Sequence, residues 1–154
     1  MIRSTRSRLA MLLLVAGTMS TAAQTPSAAV LVGEWRGAWL SMAPQSQGYA
    51  YDAVLTLRAT SSTAIDGQIA WTLRRSPRPA EQAKLGMTAV EYVSGTYEAS
   101  GRVLRLTGTR KDDPNSIIGL DRYHLVLADS GSVLGGITFS NGTWQGLLST
   151  SRQR

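Results

Sequence analysis

The sequence has no cysteine and a single histidine, His124, among its 154 residues. The missing cysteine excludes a disulfide, a thiolate zinc site, a cysteine nucleophile and a lipid anchor on a mature N-terminal cysteine. One histidine cannot build a histidine-rich metal cage or a two-histidine metalloprotease motif. No Gly-x-Ser-x-Gly elbow is present, which removes the commonest serine-nucleophile signature. Apolar residues nonetheless make up 43% of the chain, enough for a real core in one domain. No cofactor and no bound metal are expected.

No apolar run reaches the roughly 20 residues that span a bilayer as a helix. The N-terminus instead follows the secretory pattern: Arg3, Arg6 and Arg8 precede the apolar stretch Leu9–Ala16, and small residues follow at Thr21-Ala22-Ala23. This predicts a signal peptide over 1–23, a flexible lead-in over 24–29, a single folded domain over 30–154, and a periplasmic or extracellular location. An uncleaved amphipathic helix is the alternative reading of the first segment.

The charge lacks any cluster. Formal net charge is +6, from 16 Lys and Arg against 10 Asp and Glu. Removing the three n-region arginines leaves 13 against 10, a balance of +3, scattered along the chain. Arg110-Lys111 is followed at once by Asp112-Asp113. A nucleic-acid partner is therefore not expected.

What is present is period-two alternation broken by turn residues. Eight strands are predicted at about 30–41, 49–59, 64–75, 88–99, 102–110, 121–128, 132–139 and 143–150, rich in Thr, Val, Tyr and Trp. Asn141-Gly142 reads as a type I′ hairpin turn, Ser100-Gly101 and Ser130-Gly131 as tight reversals, and 60–63 as a polar loop. Such short links make consecutive strands antiparallel neighbours. Two longer connections interrupt the rhythm: 76–87, with a helical turn over 80–85 ended by Gly86, and 111–120. The fold class predicted is all-β, an eight-stranded antiparallel up-and-down barrel, because closure removes every free edge. A two-sheet β-sandwich is the alternative.

One apolar stripe runs through the strands: Trp35, Gly37, Trp39; Ala53, Leu55, Leu57; Ile65, Gly67, Ile69, Trp71, Leu73; Val93, Gly95, Tyr97; Leu104, Leu106, Gly108; Tyr123, Leu125, Leu127; Trp144, Gly146, Leu148. Glycine on an inner strand face marks sharp coiling or a bulky neighbour opposite. The tryptophans are the expected neighbours.

Gly33-Glu34-Trp35 at the start of the first strand, eight meandering strands and Arg152 after the last resemble the calycin superfamily, the lipocalins and avidins. That resemblance implies a small barrel open at one end onto a ligand pocket. It also implies that Trp35 closes the floor and that Arg152 stacks over it. The chain departs from lipocalins in lacking their second motif and the long helix after the last strand. No biotin-contacting set can be mapped onto it.

Glu91 is the sharpest polar residue on the stripe, sharing parity with Val93, Gly95 and Tyr97. The register of the Ser100-Gly101 turn places Arg110 opposite it. Glu91 therefore reads as half of an ion pair or as a ligand-orienting group. Candidate ligand-binding residues are Trp39, Trp71, Glu91, Tyr97 and Tyr123, with the 76–87 loop as a lid. His124 alternates with Tyr123 and Leu125 and reads as outward-facing. Asp112-Asp113-Pro114-Asn115 reads as a solvated loop, and the Asn141-Gly142-Thr143 sequon needs no role beyond its turn.

The leading functional expectation is an exported, non-enzymatic barrel binding a small apolar or amphipathic molecule in its mouth. A protein-interaction module, such as an inhibitor of a secreted hydrolase acting through loops 76–87 and 111–120, is the first alternative. An outer-membrane β-barrel is the second. The aromatic content of 6% and the polar ending Ser151-Arg152-Gln153-Arg154 argue against stable membrane insertion.

Overall fold

Alternating strands joined by short links leave only the question of how the two ends of the sheet meet. In the computed structural model, which describes residues 27–140 and 144–153 (backbone only at Gln45), they meet each other. The strands are β1 (Gly33–Ser41), β2 (Ala50–Ala59), β3 (Ala64–Arg75), β4 (Thr88–Glu98), β5 (Val103–Asp112), β6 (Asp121–Leu127), β7 (Val133–Ser140) and β8 (Gln145–Arg152). Each pairs antiparallel with the next. β8 then pairs with β1 from Trp35↔Arg152 to Ser41↔Gly146, closing an up-and-down barrel. That last pairing excludes the two-sheet sandwich. The segment expected to be a signal peptide (1–23), the first residues of the expected lead-in, the expected turn at Asn141-Gly142 and Arg154 lie outside the described residues.

The inner stripe is the core. Leu55, Ile69, Leu104, Leu125 and Leu148 are fully buried, in a layer that fills the middle of the barrel. The outer face alternates with it and carries the exposed ion pairs Glu34–Arg36, Asp52–Arg74 and Glu98–Arg105. His124 faces outward as expected.

The two ends differ. At one end Ala28–Leu31 form a 3-10 helix, with Ala28 and Leu31 fully buried. This corrects both the strand start at Val30 and the lead-in reaching Ala29. An apolar Ala28/Leu31 pair gains more by covering an open barrel end than by lengthening an edge. The plug is fixed by Trp35, fully buried, whose indole N–H donates to the Leu31 carbonyl at 2.9 Å. The Arg152 guanidinium carbon lies 4.3 Å from the Trp35 ring centroid. Its N–H groups donate to the carbonyls of Val32, at 2.8 Å, and Val30.

The turn between β4 and β5 carries its positive φ at Arg102 (54°) rather than at Gly101. Further along this pair, a bulge shifts the register between Tyr92 and Val93. The odd-with-even pairing predicted from the turn holds as far as Val93↔Gly108 and then slips by one. Glu91 consequently lies opposite Lys111, and the expected Glu91–Arg110 pair does not form. Arg110 is opposite Tyr92 and stacks on that ring, 3.7 Å from its centroid. A one-residue bulge is invisible to alternation because the pattern resumes on both sides of it.

Candidate functional site

The end opposite the plug remains open, as a cavity of about 330 Å³. Its walls come from the mouth ends of the strands: Trp39 from β1, Tyr51 from β2, Trp71 and Leu73 from β3, Glu91 from β4 and Asp121 from β6. Trp144 adds to the rim just before β8. Three rings form an edge-to-face chain. Tyr51 stands 5.6 Å from Trp39 at 71° and 6.1 Å from Trp71 at 79°, centroid to centroid. Trp39 has room only because residue 146 is glycine. A β-carbon there would overlap the indole.

Glu91 sits at the floor, 1% exposed. Its carboxylate accepts from the backbone N–H of Asp121 at 2.8 Å, from the Trp71 indole at 3.2 Å and from the Tyr123 hydroxyl. Gly108 makes its space, since a β-carbon at 108 would collide with the carboxylate. Burial pushes the Glu91 pKa up, opposed by the three donors and by the charge of Lys111. Asp121 is raised to about 7 by burial first and by Glu91 second. Its carboxylate has no hydrogen-bond partner among the described residues. Burial and these two acids hold the Tyr123 hydroxyl well above the usual tyrosine range, and burial likewise raises Tyr51.

The rim is organised by two loops. On 76–87 a 3-10 helix, Pro79–Lys84, matches the expected helical turn, and Gly86 ends it at φ 81°. Glu81 accepts from Tyr49 at 2.5 Å and from Ser76 at 2.7 Å, and pairs with Arg78 at 3.4 Å. Burial works against ionisation of Glu81, but these hydrogen bonds and the Arg78 charge outweigh it and lower the pKa. Lys84 reaches across to the Ser116 carbonyl at 3.3 Å, linking the two loops. The second loop is no loosely solvated segment. The side chain of Asp113 is fully buried and accepts from the backbone N–H groups of Ile117 and Ile118 at 2.9 and 3.0 Å, and from Lys111 at 3.1 Å. This fold of the loop brings the Ile117 carbonyl to the Tyr51 hydroxyl at 2.6 Å.

Of the sequence-predicted residues, Trp39, Trp71, Glu91 and Tyr123 gather at this end, Tyr123 behind Glu91 rather than on the wall. Tyr97 does not join them. It is six residues from Glu91 on the same face of β4, about 20 Å along the strand. It borders a cleft at the plugged end with Ala29, Val30, Arg102 and Arg152, its hydroxyl buried and unpartnered among the described residues. Parity gives the face of a strand but not the height along it. Asp121 was missed although the signal was present, since it shares parity with the inward residues of β6, as Tyr51 does with those of β2.

No family model and no curated protein matches the chain. A solved structure, EF1p2_mFAP2b bound to DFHBI, is similar to it with a TM-score of 0.60 at 15% identity, over 84% of this chain and 98% of that one. At that identity the likeness is one of fold, an eight-stranded antiparallel barrel.

Proposed function

We propose that this protein is an exported, non-enzymatic barrel of calycin type that binds a small apolar or amphipathic molecule in its mouth. The observation that carries the reading is the cavity itself: about 330 Å³, walled by an edge-to-face chain of three aromatic rings above a filled core. The bound DFHBI in the similar barrel supports it by analogy of fold. The Trp35–Arg152 stack supports the calycin likeness. Loops 76–87 and 111–120 are joined to each other and to the cavity wall, which favours a role as rim over free-standing partner contacts. The outer face exposes Leu40, Ile137 and Leu147 on β1, β7 and β8, but its charged pairs on β1–β5 and the apolar interior favour a water-exposed barrel over an outer-membrane one.

Titration with the neutral probe N-phenyl-1-naphthylamine tests the reading. Binding in the mouth raises probe emission and perturbs the fluorescence of Trp39 and Trp71. A titration in which neither emission changes would sink it. Cell fractionation tests export, with the protein expected outside the cytoplasm.

A further inference from the structure

The hydrogen-bonding groups on the cavity wall are unevenly committed. The indole N–H of Trp39 donates to the Thr138 hydroxyl at 2.7 Å, that of Trp71 to Glu91, and the Tyr51 hydroxyl to the Ile117 carbonyl. These wall donors are therefore occupied. Deep in the cavity the wall still offers the unpartnered Asp121 carboxylate, beside the buried Glu91, and the faces of the aromatic chain, while the Trp144 indole N–H, Arg78 and Lys84 line the rim.

No cation among the described residues answers Asp121. Lys111, opposite Glu91 on β5, is tied to Asp113 and to the Ile118 carbonyl. Arg78 and Lys84 stand at the rim, bonded to Glu81 and to the Ser116 carbonyl. From β4 Asp121 meets Glu91, and from its own strand Tyr123, which is bonded to that same acid.

An acceptor-rich pocket with aromatic walls complements a ligand that brings donors and positive charge. Resting on the mouth as a binding site, we propose that the ligand is an amphipathic organic cation. Its ammonium group docks against Asp121 beside Glu91, and its apolar body lies along Trp39, Tyr51 and Trp71. An anionic head would meet two carboxylates, and a neutral one would leave Asp121 without a counter-charge. The upward shift of Asp121 to about 7 is the mark of a carboxylate lacking such a partner.

The test is competition against N-phenyl-1-naphthylamine by three eight-carbon chains, octylamine, octanol and octanoate, on the full protein at about pH 8.5, where Asp121 is ionised and a primary amine is still protonated. Octylammonium is expected to displace the probe at least about ten-fold more tightly than octanol, and octanoate more weakly than either. In Asp121→Asn, which keeps shape and removes charge, octylamine should fall to the level of octanol, with octanol unchanged. Lowering the pH of the unmodified protein to about 5.5 should erase the same preference. Probe binding with octanoate equal to or better than octylamine overturns the charge assignment and leaves the binding site standing. A probe that does not bind at all overturns both.

Discussion

Gly146 lies directly beneath the Trp39 indole, at a point where any side chain would occupy the space of the ring. The contact couples β8 to the aromatic chain of the mouth. Gly146→Ala must displace Trp39, breaking its bond to Thr138 and its edge contact with Tyr51. Overpacking of this kind lowers stability by about 1–3 kcal/mol. Urea denaturation followed by tryptophan emission checks it, and the folded-state emission should itself shift.

Glu91 and Gly108 form a second such pair. Glu91→Ala strands the Tyr123 hydroxyl, the Trp71 indole and the Asp121 N–H, a loss of about 3 kcal/mol. Gly108→Ala alone is destabilising because its new methyl group meets the carboxylate. Combined, the two changes should destabilise by clearly less than the sum of the singles, since the carboxylate that the methyl group would strike is gone. Additive losses in that double-mutant cycle would contradict the packing described.

At the plugged end, Arg152→Ala removes the stack on Trp35 and two hydrogen bonds to carbonyls of the entering chain. The expected loss is about 1–2 kcal/mol, with faster hydrogen exchange confined to residues 28–35. Arg152→Lys should recover less than half of it, because an ammonium cannot reproduce the planar fork.

Stability should also fall as the pH rises. Unfolded, Asp121 gives up its proton near 3.8, whereas folded it does so at about 7. Between these values the folded state holds more protons. Its contribution is therefore full below about pH 4 and is lost as the pH passes 7. Glu91, raised by burial, adds in the same direction. Asp121→Asn should raise stability at pH 8 by about 1–2 kcal/mol and flatten the slope between pH 4 and 7. Thermal melts across that range in both proteins measure it, and a wild-type slope unchanged in the variant would refute it.

Strand number, order and inward face were readable because alternation and turn residues are local properties of the chain. All eight strands fall within about three residues of their expected limits. Closure was the leading expectation because it leaves no free edge, and the pairing of β8 with β1 decided it against the two-sheet sandwich. Three features were not readable. The bulge at Tyr92 left the alternation intact and so hid the true surroundings of Glu91. The height of Tyr97 along β4 depended on which end the 3-10 helix would plug. The ordering of 113–120 around Asp113 depended on backbone N–H groups, which every sequence possesses. The Trp39–Gly146 contact, by contrast, was foreshadowed by glycines sharing a stripe with tryptophans.

Because β1 begins and β8 ends beside each other at the plugged end, the Gln153 N–H bonds to the Glu34 carbonyl at 2.9 Å. Joining residues 27 and 153 through a short linker, and reopening the chain at the exposed β2–β3 turn, would yield a circular permutant with the same strand pairings. Its new termini would also point away from the mouth. A fluorescent or affinity tag could thus be carried at either end without obstructing ligand entry.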